Sequence, residues 1–246
     1  MRLATAVATA AAAFLVAGCG GGDEPRLVVS AASSMTAALG DCAPDFEGAD
    51  VRLSFAGSDE LAAQIRQGVK PDVFAAANTK LPDELNREGL LSKPVEFATN
   101  ELVIAVPKDS DVRAAADLAR PGVKLAIGSE SVPIGSYTRE LLAALPDGQG
   151  ERILANVRSN EPDVKGIVGK LTQRAADAGF VYVTDVDAAS DSLRAVKLPA
   201  DLEPDVTYAA GVVKGAKEPD KAREFVDGLT DGACADALAK AGFGAP

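Results

Sequence analysis

Hydroxyl groups stand at the points where predicted helices begin after predicted strands. The first strand leads into Ala31-Ala32-Ser33-Ser34-Met35-Thr36, and the second leads into Gly57-Ser58-Asp59-Glu60. Two later helices begin with Ser131-Val132-Pro133-Ile134-Gly135 and Asn160-Glu161-Pro162-Asp163-Val164. The start of a helix has N–H groups without intrahelical acceptors and a partial positive charge, so several helix starts brought together would bind an anion. Each serine alone is better explained as a helix N-cap, and only the whole set indicates a binding site.

The elements that must position these loops follow an α/β pattern. Seven short apolar runs predict strands, several of them buried on both faces, at residues 27–29, 51–55, 73–77, 102–106, 124–127, 180–183 and 206–213. Helices with one core face are predicted where apolar residues recur at i, i+3, i+4 and i+7, as in Met35, Ala38, Leu39 and Cys42. Strands alternating with helices imply mostly parallel sheets that are covered on both sides. Ligands bind such sheets at the carboxyl ends of the strands, where the polar helix starts lie.

The composition of the chain excludes several kinds of chemistry. Its 246 residues include 25 basic and 36 acidic side chains and no histidine, so the formal net charge is −11. The absence of histidine excludes Ser-His-Asp catalysis, Cys-His catalysis and zinc sites built on imidazole. Binding to nucleic-acid phosphates needs clustered Lys and Arg, which this acidic composition does not supply. We therefore expect no nucleic-acid partner.

Two enzymatic alternatives remain for the polar helix starts. A hydrolase with Ser34 or Ser58 as nucleophile would need Lys or a carboxylate as base, and neither a Gly-x-Ser-x-Gly nor a Ser-x-x-Lys motif occurs. A pair of carboxylates could do acid-base work, but no second element supplies a matched partner. Asp59, Glu60 and Asp163 are expected to face solvent or to cap helices rather than to contact an anion. We expect the chain not to be an enzyme.

The N-terminus predicts a targeting segment. Arg2 is followed by uncharged residues 3–17, about the length of a signal-peptide apolar region and short for a membrane span. This segment ends in Val16-Ala17-Gly18-Cys19, which resembles the bacterial lipobox. We expect residues 1–18 to be a lipoprotein signal peptide, Cys19 to carry a lipid, and residues 19–25 to form a flexible tether. A buried amphiphilic helix is the alternative.

Two cysteines remain once Cys19 is set aside as a lipid anchor. Cys42 and Cys234 are an even number in a compartment that permits oxidation, so a disulfide is predicted between them. Such a bond would join a helix near the start of the folded region to the last helix. Two separate buried thiols are the alternative.

Six short motifs occur in one order along the chain and together resemble a known family. The chain resembles the periplasmic molybdate-binding proteins of ABC importers over about residues 26–243, through Ala31-Ala32-Ser33-Ser34-Met35-Thr36, Ser54-Phe55-Ala56-Gly57-Ser58 with Leu61-Ala62-Ala63-Gln64-Ile65, Pro71-Asp72-Val73-Phe74, Val132-Pro133-Ile134-Gly135, Asp163-Val164-Lys165-Gly166 and Gly179-Phe180-Val181-Tyr182. Each motif alone is weak, whereas six in order are specific.

The resemblance implies a two-lobed periplasmic binding protein fold. Mixed, mostly parallel sheets flanked by helices would form each lobe, and two crossover strands would act as the hinge. Residues 26–97 and 214–246 would form lobe 1, and residues 98–213 would form the hinge strands and lobe 2. The resemblance also implies which residues bind one tetrahedral oxyanion: hydroxyl and backbone N–H groups of Ser34 and Ser58, backbone N–H groups of Ile134 and Val164, and the hydroxyl of Tyr182.

The implied function is extracytoplasmic binding of molybdate, and of tungstate, for delivery to an ABC transporter permease in the membrane. Hydroxyl and N–H groups can all donate, so they suit an oxyanion that carries no proton. We expect a monomeric lipoprotein that is anchored to the cell membrane, with no cofactor and with molybdenum present only within the bound oxyanion. The alternatives are a receptor for sulfate or another tetrahedral oxyanion on the same scaffold, and a ligand-free scaffold lipoprotein.

Overall fold

Strands and helices alternate through most of the chain. The computed structural model describes residues 24–199 and 202–246. The strands within these residues are β1 (Arg26–Ala32), β2 (Asp50–Ala56), β3 (Val73–Ala76), β4 (Val95–Asn100), β5 (Leu102–Pro107), β6 (Leu125–Gly128), β7 (Val157–Glu161), β8 (Ala178–Tyr182), β9 (Leu193–Val196) and β10 (Val206–Val212). The α-helices are α1 (Thr36–Cys42), α2 (Ser58–Arg66), α3 (Lys80–Arg87), α4 (Pro133–Ala144), α5 (Gln149–Leu154), α6 (Val164–Thr172), α7 (Val183–Ala188), α8 (Pro219–Gly228) and α9 (Ala233–Lys240). Short 3-10 helices lie at Ser33–Met35, Ala43–Asp45, Ala115–Ala119 and Pro146–Gly148.

Two five-stranded sheets form the two lobes. The strand order is β2-β1-β3-β10-β4 in the first sheet and β7-β6-β8-β5-β9 in the second. In each sheet four strands run in one direction, and only β10 or β5 runs against both of its neighbours. Every residue of β5 and β8 is buried, as expected for strands covered on both faces. The predicted two-lobed α/β fold with mixed, mostly parallel sheets is confirmed.

The chain crosses between the lobes twice. Glu101 alone separates β4 in the first sheet from β5 in the second, and the chain returns between β9 and β10. The first strand that forms after each crossing is the strand that runs against its neighbours. Both β4 and β10 pair within the first sheet. The division into residues 26–97 with 214–246 and residues 98–213 stays a prediction.

A disulfide joins the two ends of the first lobe. Helices α1 and α9 pack together, and the Cα atoms of the bonded Cys42 and Cys234 lie 5.1 Å apart. The bond spans a sequence separation of 192 and so encloses the second lobe. Closing a loop of this length stabilises the fold by about 5 kcal/mol in the chain-entropy model.

The targeting segment lies largely outside the description of the fold. The predicted signal peptide at 1–18, the lipidation residue Cys19 and positions 20–23 of the tether are outside the described residues. Among the residues that are described, no helix combines the length and the hydropathy needed to cross a bilayer.

Candidate functional site

A cavity lies between the lobes, at the carboxyl ends of β1, β2 and β8. The cavity is lined by all five residues to which the sequence assigns a binding role, Ser34, Ser58, Ile134, Val164 and Tyr182. Each of these residues is at most 6% exposed. The structure therefore brings together, in a buried position, groups from two lobes that are far apart in sequence.

The first lobe contributes two serine hydroxyls. Ser58 is the first residue of α2, and its Oγ accepts a hydrogen bond from the backbone N–H of Ala77 at 3.1 Å. Because this lone pair of Ser58 is occupied by a donor, the hydroxyl proton of Ser58 is free to point into the cavity. Ser34 lies just after β1, and its Oγ is 2.9 Å from the phenol oxygen of Tyr208.

The second lobe contributes the starts of two helices. Ile134 lies in the first turn of α4 and Val164 in the first turn of α6, where N–H groups have no intrahelical acceptor. The N–H of Gly135 is bonded to the carbonyl of Val132 at 2.9 Å, so the backbone beside Ile134 is fixed. Pro133 begins α4, a position where its missing N–H removes no helical hydrogen bond. Both helix starts therefore present N–H groups and partial positive charge to the cavity.

Tyr182 ends β8 and is the most informative residue of the cavity. Its ring is 1% exposed, and its hydroxyl has no hydrogen-bond partner among the described residues. Burial raises the pKa of Tyr182 well above its ordinary value, so the hydroxyl stays protonated and can donate. A buried hydroxyl without a partner destabilises a fold by about 1 to 3 kcal/mol. A ligand oxygen in the cavity would satisfy it.

Within the described residues no positive side chain lines the cavity to balance an anion, and the lining includes the acidic Asp163. None of the described residues that line it is Lys or Arg. A partly buried ion pair lies in the second lobe, where the Lys165 ammonium is 3.0 Å from a carboxylate oxygen of Asp185. Burial raises the pKa of Asp185 to about 6, and its other carboxylate oxygen has no partner among the described residues. An anion in the cavity would thus be held by dipoles and hydrogen bonds.

The lobes are in contact around the cavity. The Ser131 hydroxyl of the second lobe donates to a carboxylate oxygen of Asp59 in the first lobe at 2.5 Å. A Cβ atom placed on Gly57 would lie 2.5 Å from the Pro162 carbonyl oxygen of the opposite lobe. Only a residue without a side chain allows this approach, because real Cβ atoms do not come so close. The structure is therefore a closed arrangement of the two lobes.

The acidic residues near the cavity have three different roles. Asp163 caps α6, as predicted, by accepting the N–H of Gly166 at 2.9 Å. Glu60 is exposed and bonds only Gln64 on its own helix at 3.2 Å, which also agrees with the prediction. Asp59 does not line the cavity, as predicted, but its carboxylate forms no cap and instead accepts the interlobe hydrogen bond. That contact joins segments that sequence reasoning cannot place together.

A comparison with known proteins identifies the family. The family model described as bacterial extracellular solute-binding protein matches residues 27–244. The chain belongs to this family of solute-binding proteins. The family resemblance stated from the sequence motifs is thereby confirmed.

One relative by sequence and two solved structures are similar to this solute-binding protein. The molybdate-binding protein ModA of Mycobacterium tuberculosis is 37% identical over 227 residues, which cover 89% of this chain and 85% of that protein. The periplasmic molybdate-binding protein of Azotobacter vinelandii has a TM-score of 0.78 at 22% identity, covering 89% of this chain and 99% of that chain. The sulfate-binding protein SubI of M. tuberculosis has a TM-score of 0.79 at 16% identity, covering 89% and 86%. At these identities the two structures show the fold alone.

Sequence reasoning missed two residues behind the cavity of this solute-binding protein. Tyr208 on β10 is fully buried and contacts Ser34, and Asn100 at the end of β4 lies 3.4 Å from the Tyr208 hydroxyl. Both residues sit near the crossings between the lobes. A tyrosine inside an apolar strand is typical of a core, so the sequence carried no signal for a polar role.

Proposed function

We propose that this solute-binding protein binds molybdate, and tungstate, in the cavity between its lobes. The observation that carries the proposal is the buried, partnerless hydroxyl of Tyr182, which faces a cavity lined by further donors and by no Lys or Arg among the described residues. The name of the M. tuberculosis relative, at 37% identity over 89% of the chain, supports molybdate as the ligand.

Five groups would hold the ion. The hydroxyls of Ser34 and Ser58 would donate from the first lobe, and the N–H groups of Ile134 and Val164 with the hydroxyl of Tyr182 would donate from the second. Each group can donate without needing a proton from the ligand, so the cavity favours an anion that is fully deprotonated near neutral pH. These neutral donor groups also avoid burying a Lys or Arg, whose desolvation would offset much of its attraction for the ion.

Sulfate is the second candidate ligand. It is also a fully deprotonated tetrahedral dianion, so the same donors suit it, and a sulfate-binding protein shares the fold. Discrimination between sulfate and molybdate would rest on the size of the cavity. Ile134, the largest aliphatic side chain of the cavity lining, is the residue that would set this size.

The cellular part of the proposal rests on the family and on the N-terminal sequence. Residues 1–18 would direct export, Cys19 would carry the lipid, and the protein would stay anchored outside the cytoplasm as a monomer. Bound anion would shift the protein toward the closed arrangement, which an ABC transporter permease would recognise.

Isothermal titration of the purified protein with molybdate, tungstate, sulfate and phosphate tests the proposal. We expect tight one-to-one binding of molybdate and tungstate and weak binding of the other two. Equally tight binding of sulfate would replace the proposed ligand by the second candidate. The absence of heat with all four anions would contradict oxyanion binding altogether and favour a ligand-free scaffold.

A further inference from the structure

We propose that Tyr208 is a positioning residue that fixes the Ser34 hydroxyl as a donor toward the bound oxyanion. The Tyr208 hydroxyl lies 2.9 Å from Ser34 Oγ, behind the cavity wall. Its ring is fully buried between Phe97, Tyr182 and Phe243. The inference rests on the proposed function, because it assigns the direction of one of the proposed hydrogen bonds to the ligand.

The direction of the network begins at Asn100. The backbone N–H of Glu101 donates to Asn100 Oδ1 at 2.9 Å, and this contact settles which end of the amide is the oxygen. The amide nitrogen of Asn100 then lies 2.9 Å from Thr184 Oγ1 and 3.4 Å from Tyr208 Oη. An amide NH₂ group can only donate, so the Tyr208 oxygen accepts.

The next step is the proton of Tyr208. Burial raises the pKa of this phenol far above its ordinary value, so the proton stays on the oxygen at neutral pH. Because Asn100 donates to that oxygen, the phenol proton is directed to the other neighbour, Ser34 Oγ at 2.9 Å. The lone pair of Ser34 on this side is then occupied, and the Ser34 proton points into the cavity.

The two serines of the first lobe are therefore held in the same way. The Ala77 N–H donates to Ser58 Oγ, and the Tyr208 O–H donates to Ser34 Oγ. Both donors approach from the side away from the cavity. A serine without such a neighbour can rotate and accept a proton from its ligand. Fixing both as donors strengthens binding of a fully deprotonated anion and disfavours hydrogen phosphate, which presents a proton of its own.

The network also connects the lobes. Asn100 ends β4 in the first sheet, whereas Thr184 lies in α7 of the second lobe. The amide that orients Tyr208 is therefore held by the second lobe as well. The donor direction of Ser34 is in this way linked to the closed arrangement.

A double-mutant cycle on molybdate binding tests the role of Tyr208. Calorimetry of the wild type, Tyr208→Phe, Ser34→Ala and the double variant gives the four dissociation constants. We expect Tyr208→Phe to weaken binding by about 10-fold in the wild type and by less than about 2-fold beside Ser34→Ala, because Tyr208 acts through Ser34. Tyr137→Phe, which removes a phenol oxygen outside the cavity lining, is the matched control and should leave the affinity unchanged.

A second readout separates positioning from a structural effect. Phosphate affinity, measured by competition with molybdate, should fall less than molybdate affinity in Tyr208→Phe. The ratio of molybdate affinity to phosphate affinity should therefore fall by about threefold or more. Equal losses for both anions, or an equal loss from Tyr208→Phe in both backgrounds, would overturn the inference. Asn100→Ala, which leaves the phenol in place, should act in the same direction with a smaller effect, as a check that does not depend on the fold tolerating Tyr208→Phe.

The wild-type titration distinguishes this inference from the proposed function. A wild type that binds none of the anions contradicts the proposed function. A wild type that binds molybdate while Tyr208→Phe keeps its affinity and its anion ratio contradicts only the role of Tyr208.

Discussion

The two lobes prepare their halves of the cavity in different ways. In the first lobe the hydroxyl of Ser58 already accepts a backbone N–H, and that of Ser34 already has a phenol beside it. In the second lobe the hydroxyl of Tyr182 is buried without a partner among the described residues. The serine oxygens of the first half therefore have hydrogen-bond partners before a ligand arrives, whereas the Tyr182 hydroxyl of the second half has none and lacks an acceptor that an anion would supply. The first lobe therefore holds its donors in place before the ligand binds, whereas the second lobe gains a hydrogen bond when the ligand binds.

The largest expected effect on molybdate affinity comes from a substitution that keeps the two lobes apart. Gly57→Ala is compatible with the local backbone, whose φ is −61°, but its Cβ would meet the Pro162 carbonyl oxygen across the cleft. We expect molybdate affinity to fall by roughly 100-fold or more, because closure is opposed, with little change in the unfolding temperature. Calorimetry and thermal unfolding measure both.

Gly228→Ala is the control for this variant, since a Cβ there would meet nothing within 4 Å. Gly57→Ala with unchanged affinity would show that the closed arrangement is not needed for binding.

Removal of the Tyr182 hydroxyl tests the second lobe. Tyr182→Phe should weaken molybdate binding by about 10- to 100-fold, because a hydrogen bond to a charged ligand is lost. The ligand-free protein should become more stable by about 1 kcal/mol, because an unsatisfied buried group is removed. Urea unfolding with and without molybdate checks both signs, and a loss of stability in the ligand-free protein would contradict this view of the second lobe.

The matched change in the first lobe should alter stability in the opposite direction. Ser58→Ala leaves the N–H of Ala77 without its acceptor, so the ligand-free protein should lose about 1 to 2 kcal/mol of stability. Molybdate affinity should also fall, by about 10-fold. Ser190→Ala, at an exposed position, serves as the control. If both Ser58→Ala and Tyr182→Phe changed stability with the same sign, the proposed difference between the lobes would be wrong.

Substitution of Asp185, a second buried group of the second lobe, should have the smallest effect on molybdate affinity and should change mainly the stability of the fold. Burial raises its pKa to about 6 from an ordinary value near 3.8. Between these values the folded state binds a proton that the unfolded state lacks, so this group makes the fold more stable as the pH falls from 7 to 4. Asp185→Asn should add about 2 kcal/mol at pH 7 and remove this dependence.

Urea unfolding at pH 7 and pH 5 measures the effect, with Asp187→Asn in the same helix as an exposed control. An Asp185→Asn protein that is less stable than the wild type at pH 7 would show that the ion pair with Lys165 outweighs the burial of the carboxylate.

The sequence predicts the central strands and the helix starts because burial on both faces leaves continuous apolar runs. The three strands that it does not predict are β4, β7 and β9, and each lies at the edge of a sheet. Edge strands are partly exposed and carry polar residues, as in Val-Arg-Ser-Asn-Glu of β7, so no apolar run marks them. The five residues assigned to the cavity do meet in one cavity, because they belong to motifs at helix starts and strand ends.

Contacts between distant segments could not be predicted in the same way. The interlobe hydrogen bond of Ser131 with Asp59, and the position of Tyr208 behind Ser34, depend on how two lobes close and on a bond across a sequence separation of 174. Local pattern carries no information about either. These are also the contacts on which closure and donor direction depend.

The most direct test of the central claim is a crystal structure grown with molybdate, in which anomalous scattering locates the molybdenum. We predict one strong peak per chain in the cavity, with ligand oxygens about 2.6 to 3.2 Å from the hydroxyls of Tyr182 and Ser58. A closed protein with no peak in the cavity, or with peaks only beside surface Lys and Arg residues, would contradict the account.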